Sequence, residues 1–127
     1  MPGQSEPRGP LLAVIEIGAY PNFSPLYQRL GYAVTIERSM RKALSTARKL
    51  KPAVIVAEFN YQSDFRDRTS SLESLFSVVQ TLPGTKVVVF YEAEQLAQFE
   101  RVRVRFPVHA ALPYPVDAAQ LELALTR

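Results

Sequence analysis

The residues that could carry chemistry in this chain of 127 residues are few. The sequence contains no cysteine and one histidine, His109. This excludes disulfides, thiolate metal sites, cysteine nucleophiles and metal sites that need several imidazoles. No nucleophile with its base can be assembled from the remaining residue types, so we expect a protein that is not an enzyme and that holds no metal and no other cofactor. We expect His109 to be structural, with a pH-sensitive contact as the alternative.

A second group of chemically active side chains is basic. Six cations lie within fourteen residues that contain no acid: Arg38, Arg41, Lys42, Arg48, Lys49 and Lys51. Such a run could bind nucleic acid, an anionic membrane or an acidic protein. It could equally be the solvated outer face of a helix whose inner face is apolar, and no aromatic platform accompanies it. We favour the solvated face and place an acidic protein second and nucleic acid third.

The overall composition fits one globular domain. The chain is 47% hydrophobic and 21% charged, with a net charge of +3. Its apolar runs fall far short of the ~20 residues of a membrane span, so we expect no membrane partner and a cytoplasmic location. Residues 1–10 hold three prolines and two glycines, which indicates a disordered tail before a domain at 11–127.

Apolar runs and helical patterns alternate along that domain. The runs predict buried strands at 11–17, 32–36, 53–57, 86–91 and 108–112. Helices are predicted between them and after the last one, with Ser24, Ser39, Ser70 and Asp117 as N-terminal caps. Leu96 and Phe99 are predicted to face inward from the fourth helix. The alternating arginines at 101, 103 and 105 could extend an edge strand or end that helix. This order implies a parallel sheet with helices on both faces.

Several short motifs give the pattern a family resemblance. Leu30-Gly31-Tyr32 precedes the second strand, a run from Lys51 to Glu58 contains the third, and Tyr114-Pro115 follows the fifth. Over residues 11–126 the sequence resembles the receiver domain of two-component response regulators. The resemblance implies an α/β doubly wound, flavodoxin-like domain whose five-stranded parallel sheet has the order 2-1-3-4-5.

The resemblance also implies where a phosphorylation site would lie. In receivers, two acids end the first strand and hold Mg²⁺, an Asp ends the third strand and accepts the phosphoryl group, a Ser or Thr follows the fourth strand, and a Lys-Pro pair follows the fifth. The positions that match in this chain are Glu16 and Ile17 for the acid pair, then Glu58, Tyr91, Tyr114 and Pro115. Only the proline is unchanged.

These replacements predict a degenerate receiver. Ile17 removes a carboxylate ligand, Glu58 displaces another by a methylene, and no lysine remains to neutralise an acyl phosphate. Because the first and third strands are neighbours in this fold, Glu16 and Glu58 should lie close together. They could keep a weak cation site, or Glu58 could mimic an acidic active state. We favour two partly solvated acids that accept a hydrogen bond from the hydroxyl of Tyr91 or Tyr114.

In receivers the fourth helix, fifth strand and fifth helix commonly form the dimer or partner face. On that basis Arg101, Arg103 and Arg105 are candidates for interfacial ion pairs. The apolar centre of such an interface would come from Phe99, Phe106 and Tyr114.

Three aromatic residues interrupt the long polar stretch at 59–68, namely Phe59, Tyr61 and Phe65. They could fold over the crevice at the strand ends or form a recognition loop, and we favour the first.

The resulting hypothesis is a phosphorylation-independent signalling module that binds a protein partner, with a homodimer as one form. The alternatives are a domain that binds nucleic acid or another polyanion through the basic second helix, and a small-molecule sensor that uses the crevice.

Overall fold

The computed structural model describes residues 8–15, 22–59 and 71–127. Its strands are β1 (Gly9–Val14), β2 (Tyr32–Glu37), β3 (Val54–Glu58), β4 (Lys86–Tyr91) and β5 (Ala110–Pro113). Its helices are α1 (Ser24–Arg29), α2 (Met40–Leu50), α3 (Ser71–Val79), α4 (Leu96–Arg103) and α5 (Ala118–Thr126). A short 3₁₀ turn, Ala93–Gln95, precedes α4.

The five strands form one sheet in the order β2-β1-β3-β4-β5, and every neighbouring pair is parallel. The predicted fold class and strand order are therefore confirmed. Successive side chains of a strand point to opposite faces, so the continuous apolar runs need a helical layer on each side. Leu12, Ile55 and Val89 pack on the side of α2, α3 and α4. Leu11 and Val88 pack in a second core that includes residues of α1 and α5.

Side-chain caps mark where helices α2 and α5 begin. The Ser39 hydroxyl accepts a hydrogen bond from the Lys42 amide at the start of α2, and the Asp117 carboxylate accepts one from the Ala119 amide at the start of α5. Both caps agree with the prediction. Ser24 is not a cap, because Phe23 occupies that position and Ser24 is the first helical residue. The Ser70 cap lies outside the described residues.

Strand β1 starts earlier than the sequence predicted. Gly9 and Pro10 belong to it, and Arg8 is tied to the next turn by its amide, which donates to the Gly31 carbonyl at 2.9 Å. The Pro10 carbonyl accepts from the Ala53 amide at 2.8 Å. A proline lacks only the donor, so it can occupy the start of a strand. The prediction of a tail therefore remains only for residues 1–7, which lie outside the described residues.

The arginine-rich segment is the end of a helix. Helix α4 runs to Arg103, and Val104 follows with its side chain exposed. Phe99 and Val102 are buried, so the centre of the inner face of α4 lies between these two residues. Leu96 lies about a quarter-turn from that centre and is 43% exposed, so its predicted inward position is wrong. In the described part of the chain, no helix is long and apolar enough to cross a bilayer.

Candidate regulatory site and partner-binding face

Glu58 is the last residue of β3 and is only 4% exposed. It lies opposite Phe90 in the register of β3 and β4. Because side chains alternate along a strand, Glu58 shares the face of Val54 and Val56, which belongs to the layer of α1 and α5. The sequence predicted a partly solvated acid here. The structure corrects this, because the end of β3 is covered.

Glu58 lines a small cavity between the ends of β1 and β3 and helix α1. Phe23, Ser24 and Tyr27 form its wall on the α1 side, and Phe90 closes it from β4. The Ser24 hydroxyl oxygen is buried without a hydrogen-bond partner in this structure. Burial raises the pKa of Tyr27 well above its ordinary value. Burial leaves little of the Glu58 carboxylate accessible to an incoming phosphodonor.

The described residues do not fit a magnesium ion. Mg²⁺ needs close, nearly octahedral oxygen ligands, whereas the cavity around Glu58 is walled mainly by apolar groups. Nowhere in residues 8–15, 22–59 and 71–127 do three or more acidic, histidine or cysteine side chains come together as a metal site would require. Glu16 and Ile17 lie outside the described residues, so their expected position near Glu58 stays a prediction.

Tyr91 is the last residue of β4, and Tyr114 directly follows β5. The Tyr91 ring stacks on Phe99 of α4, with centroids 5.0 Å and planes 15° apart. It therefore packs on the face of the sheet opposite the Glu58 cavity. Tyr114 donates its amide to the Tyr91 carbonyl at 2.8 Å, is 43% exposed, and precedes Pro115 through a cis peptide bond. The sheet thus separates Tyr91 from the Glu58 cavity, whereas Tyr114 lies at the surface.

Phe59 directly follows Glu58 but faces the other way. It is buried and meets Phe99 edge to face, with centroids 5.4 Å apart. Its amide donates to the Phe90 carbonyl at 2.8 Å. Phe59 is therefore a core residue beneath α4 and not part of a loop over the crevice. Tyr61 and Phe65 lie outside the described residues.

A groove runs along β5 between α4 and α5. Since β5 is an edge strand of the sheet, its outer side is not covered by another strand of that sheet. The groove is lined by Arg103 from α4, by residues 109–112, and by Gln120 and Leu123 from α5. Leu123 of α5 is 62% exposed. Leu96, seven residues before Arg103, lies on the same side of α4.

The groove changes the set of residues predicted for a partner face. Phe99 is fully buried, so its side chain cannot contact a partner directly. Phe106 stacks on Phe76 of α3, with centroids 5.0 Å apart. Arg105 forms an ion pair with Glu73 of α3 at 2.9 Å, so it too is turned away from the groove.

All three predicted arginines are exposed, and two of them are not paired with α3. Arg103 borders the groove and contacts Glu100 at 3.4 Å, and Arg101 is exposed on α4. Leu123 was not among the residues that the sequence predicted for the partner face. A signal was available, because Leu121, Ala124 and Leu125 define the inner face of α5 and leave Leu123 outside it.

His109 lines this groove and is bonded to α5 and to β4. Its Nε2 lies 2.8 Å from the Ala124 carbonyl, and because a carbonyl only accepts, the ring nitrogen is the donor. Its amide donates to the Val87 carbonyl at 2.8 Å. His109 therefore ties the start of β5 to the last turn of α5.

The basic side chains of α2 form one surface. Arg41, Lys42, Arg48 and Lys49 are all exposed, on the side of the helix opposite the buried Met40, Ala43 and Ala47. Arg38 and Lys51 flank the helix and are also exposed. These six cations are called the basic face below.

Sequence comparison identifies no relative, because no protein-family model and no curated protein matches. Solved structures do match. A response regulator receiver domain from Clostridium thermocellum has a TM-score of 0.74 at 16% identity, over 93% of this chain and 91% of that one. The signal receiver domain of a putative Luxo repressor from Vibrio parahaemolyticus has a TM-score of 0.70 at 16% identity, over 94% and 88%.

A third similar structure comes from a family of streptococcal redox sensors that evolved from two-component response regulators. Its TM-score is 0.73 at 19% identity, over 93% of this chain and 49% of that one. Together these structures identify the fold as the receiver fold.

Proposed function

We propose that this receiver-fold domain is a signalling module that works without phosphorylation and binds a protein partner through the groove of α4, β5 and α5. The proposal that the module works without phosphorylation rests on the burial of Glu58. The residue in the acceptor position is a buried glutamate among aromatic and aliphatic side chains. A phosphodonor that approached this position would meet a carboxylate that is almost completely covered.

The position of Tyr114 supports the same conclusion. The receiver pattern has a lysine there, whose cation would neutralise a phosphoryl group. Tyr114 offers a phenol in its place and is exposed at the surface. The similarity to a sensor family that evolved from response regulators adds support, since it indicates that this fold can serve another signal.

The groove supports the second half of the proposal. It combines an exposed leucine on α5, an edge strand with small side chains at Ala110 and Ala111, and a cation, Arg103, on α4. Protein interfaces commonly place apolar contacts at the centre and polar groups at the rim. Leu123 lines the groove, and Leu96 on α4 and Tyr114 after β5 are exposed on the elements beside it, in place of the buried Phe99.

The first test is chemical. The protein is incubated with Mg²⁺ and labelled acetyl phosphate beside an active receiver domain as the positive control. We expect label in the control and none in this protein. An acyl phosphate on Glu58, found by mass spectrometry, would contradict the proposal.

The second test compares two exposed apolar residues at opposite edges of the sheet. Leu123→Glu places a charge in the groove, and Ile36→Glu places the same charge on edge strand β2, where Ile36 is also exposed. Each variant is used as bait and in sedimentation. We expect a protein partner, or self-association, that the wild type and Ile36→Glu retain and Leu123→Glu loses. Equal behaviour of the two variants would count against the groove.

A further inference from the structure

Ser45 lies at the centre of the basic face. It is exposed on α2, and the four residues that neighbour it on the helix surface are all cations. Arg41 and Lys42 precede it by four and three residues, and Arg48 and Lys49 follow it by three and four. Residues at these spacings are surface neighbours, with Cβ atoms about 5–6 Å apart. The result is a hydroxyl surrounded by four exposed positive side chains.

Folding does not account for this arrangement. Residues 38–57 contain no acid, and among the residues that the structure describes no ion pair involves any of the four cations. Arg41 and Lys42 occupy the first turn of α2, which contains no acidic residue. Cations there face the positive end of the helix dipole and are disfavoured.

The charge is also concentrated in one place. The six cations of the basic face exceed the net charge of +3 for the whole chain, so the other residues together are net negative. An anionic partner would therefore be attracted more strongly to α2 than to the rest of the chain taken together.

The composition of the face indicates the class of anion. The exposed residues of α2 are Arg41, Lys42, Ser45, Arg48 and Lys49. None is aromatic, so single-stranded nucleic acid would find no stacking platform, and none is apolar, so a membrane would find no anchor. Strands β2 and β3 flank α2 along the chain, so it is not the recognition helix of a helix-turn-helix. The remaining fit is a protein segment whose carboxylates are spaced like the cations.

We propose that the basic face of α2 binds an acidic segment of a partner protein, with a carboxylate placed over Ser45 among Arg41, Lys42, Arg48 and Lys49. This surface is separate from the groove at β5, which lies at the other edge of the sheet. The inference therefore goes beyond the proposed function and does not depend on it.

The test uses the full chain and a fluorescent poly-L-glutamate of about 20 residues, with fluorescence anisotropy at about 50 mM salt, where surface charges are weakly screened. We expect saturable binding that weakens at least about fivefold in Arg48→Gln/Lys49→Gln, since each exposed ion pair contributes modestly. The matched control is Arg29→Gln/Lys86→Gln, which removes the same charge from α1 and β4. We expect it to change the affinity less than about twofold.

A second pair of measurements keeps the test decisive. Arg41→Gln/Lys42→Gln should also lose affinity, yet its thermal unfolding should be unchanged or slightly higher, because the substitution relieves the helix dipole. If the variant lost binding because it misfolded, its unfolding temperature would fall instead. No binding of poly-L-glutamate, or equal losses in the α2 variants and in the Arg29→Gln/Lys86→Gln control, would overturn the proposal. Tighter binding of a duplex DNA than of poly-L-glutamate would overturn it in favour of nucleic acid.

Discussion

The ring of Tyr91 lies nearly parallel to that of Phe99, with centroids 5.0 Å apart. Phe59 meets the same Phe99 edge to face, so one phenylalanine of α4 holds the residues that follow or end β3 and β4. Receivers have a small hydroxyl residue at the position of Tyr91. Here that position carries an aromatic ring that packs against the core, which joins the strand ends to α4 in a single arrangement.

Replacing Phe99 should therefore cost stability. We expect Phe99→Ala to lower the free energy of unfolding by about 3–5 kcal/mol, because it leaves a cavity under Tyr91 and Phe59. Urea unfolding followed by circular dichroism measures it. The control is Leu96→Ala, three residues earlier and exposed, which should cost less than about 1 kcal/mol. Similar losses in the two variants would contradict the core position of Phe99.

The sheet could be predicted because its signals are local. The apolar runs are buried on both faces, and caps such as Ser39 and Asp117 begin helices by bonds to amides two or three residues away. The boundary at Gly9 could not be predicted in the same way. It depends on bonds to Gly31 and Ala53, which are far along the chain and lie next to it only in the folded sheet.

The partner face was harder to predict than the fold. Phe99 and Phe106 are large and apolar, so the sequence offered them as its centre, but both find partners inside the protein. Phe76 stacks on Phe106, and Glu73 pairs with Arg105. These are tertiary contacts with α3. Leu123 differs because helical spacing alone places it off the buried face of α5, and the sequence could have shown that.

The contact of His109 with α5 gives a second prediction. Removing the ring in His109→Ala deletes the hydrogen bond to the Ala124 carbonyl, and we expect the free energy of unfolding to fall by about 1 kcal/mol. Gln120→Ala, at another lining residue of the groove that is exposed, should change it by less than about 0.5 kcal/mol. Chemical denaturation at neutral pH measures both. No difference between them would show that the bond contributes nothing to stability.

Burial of Tyr27 predicts a loss of stability in alkali. Burial raises its pKa in the folded protein, whereas the unfolded chain ionises near the ordinary value of about 10. The contribution of Tyr27 to the free energy of unfolding is therefore fully present below about pH 10. Above it the unfolded state loses a proton that the folded state keeps, and the free energy of unfolding falls by up to about 1.4 kcal/mol per pH unit.

Tyr27→Phe removes this titration, so the variant should lose less stability than the wild type between about pH 9 and pH 11. Some loss should remain, because burial also raises the pKa of Tyr32. Urea unfolding at the two pH values measures the difference, and the lysines and other tyrosines cancel in the comparison. Identical losses would show that Tyr27 is not sheltered from solvent.

The ring of cations around Ser45 can be tested from within the protein. Ser45→Asp supplies one carboxylate to Arg41, Lys42, Arg48 and Lys49, and each such helical pair contributes about 0.2–0.5 kcal/mol. The matched control, Ser45→Asn, has the same shape and a similar helix propensity but no charge. We expect the free energy of unfolding of the aspartate variant to be about 0.5–1 kcal/mol higher than that of the asparagine variant at low salt, and the gap to shrink in about 1 M salt.

The aspartate variant should at the same time bind poly-L-glutamate more weakly, because its own carboxylate occupies the place of the ligand's carboxylate. A change in stability and affinity in opposite directions is hard to obtain from a solvated helix face. If the two variants were equally stable at low salt, the cations would be too dispersed to act on one carboxylate, and the docking of an acidic segment would lose its basis.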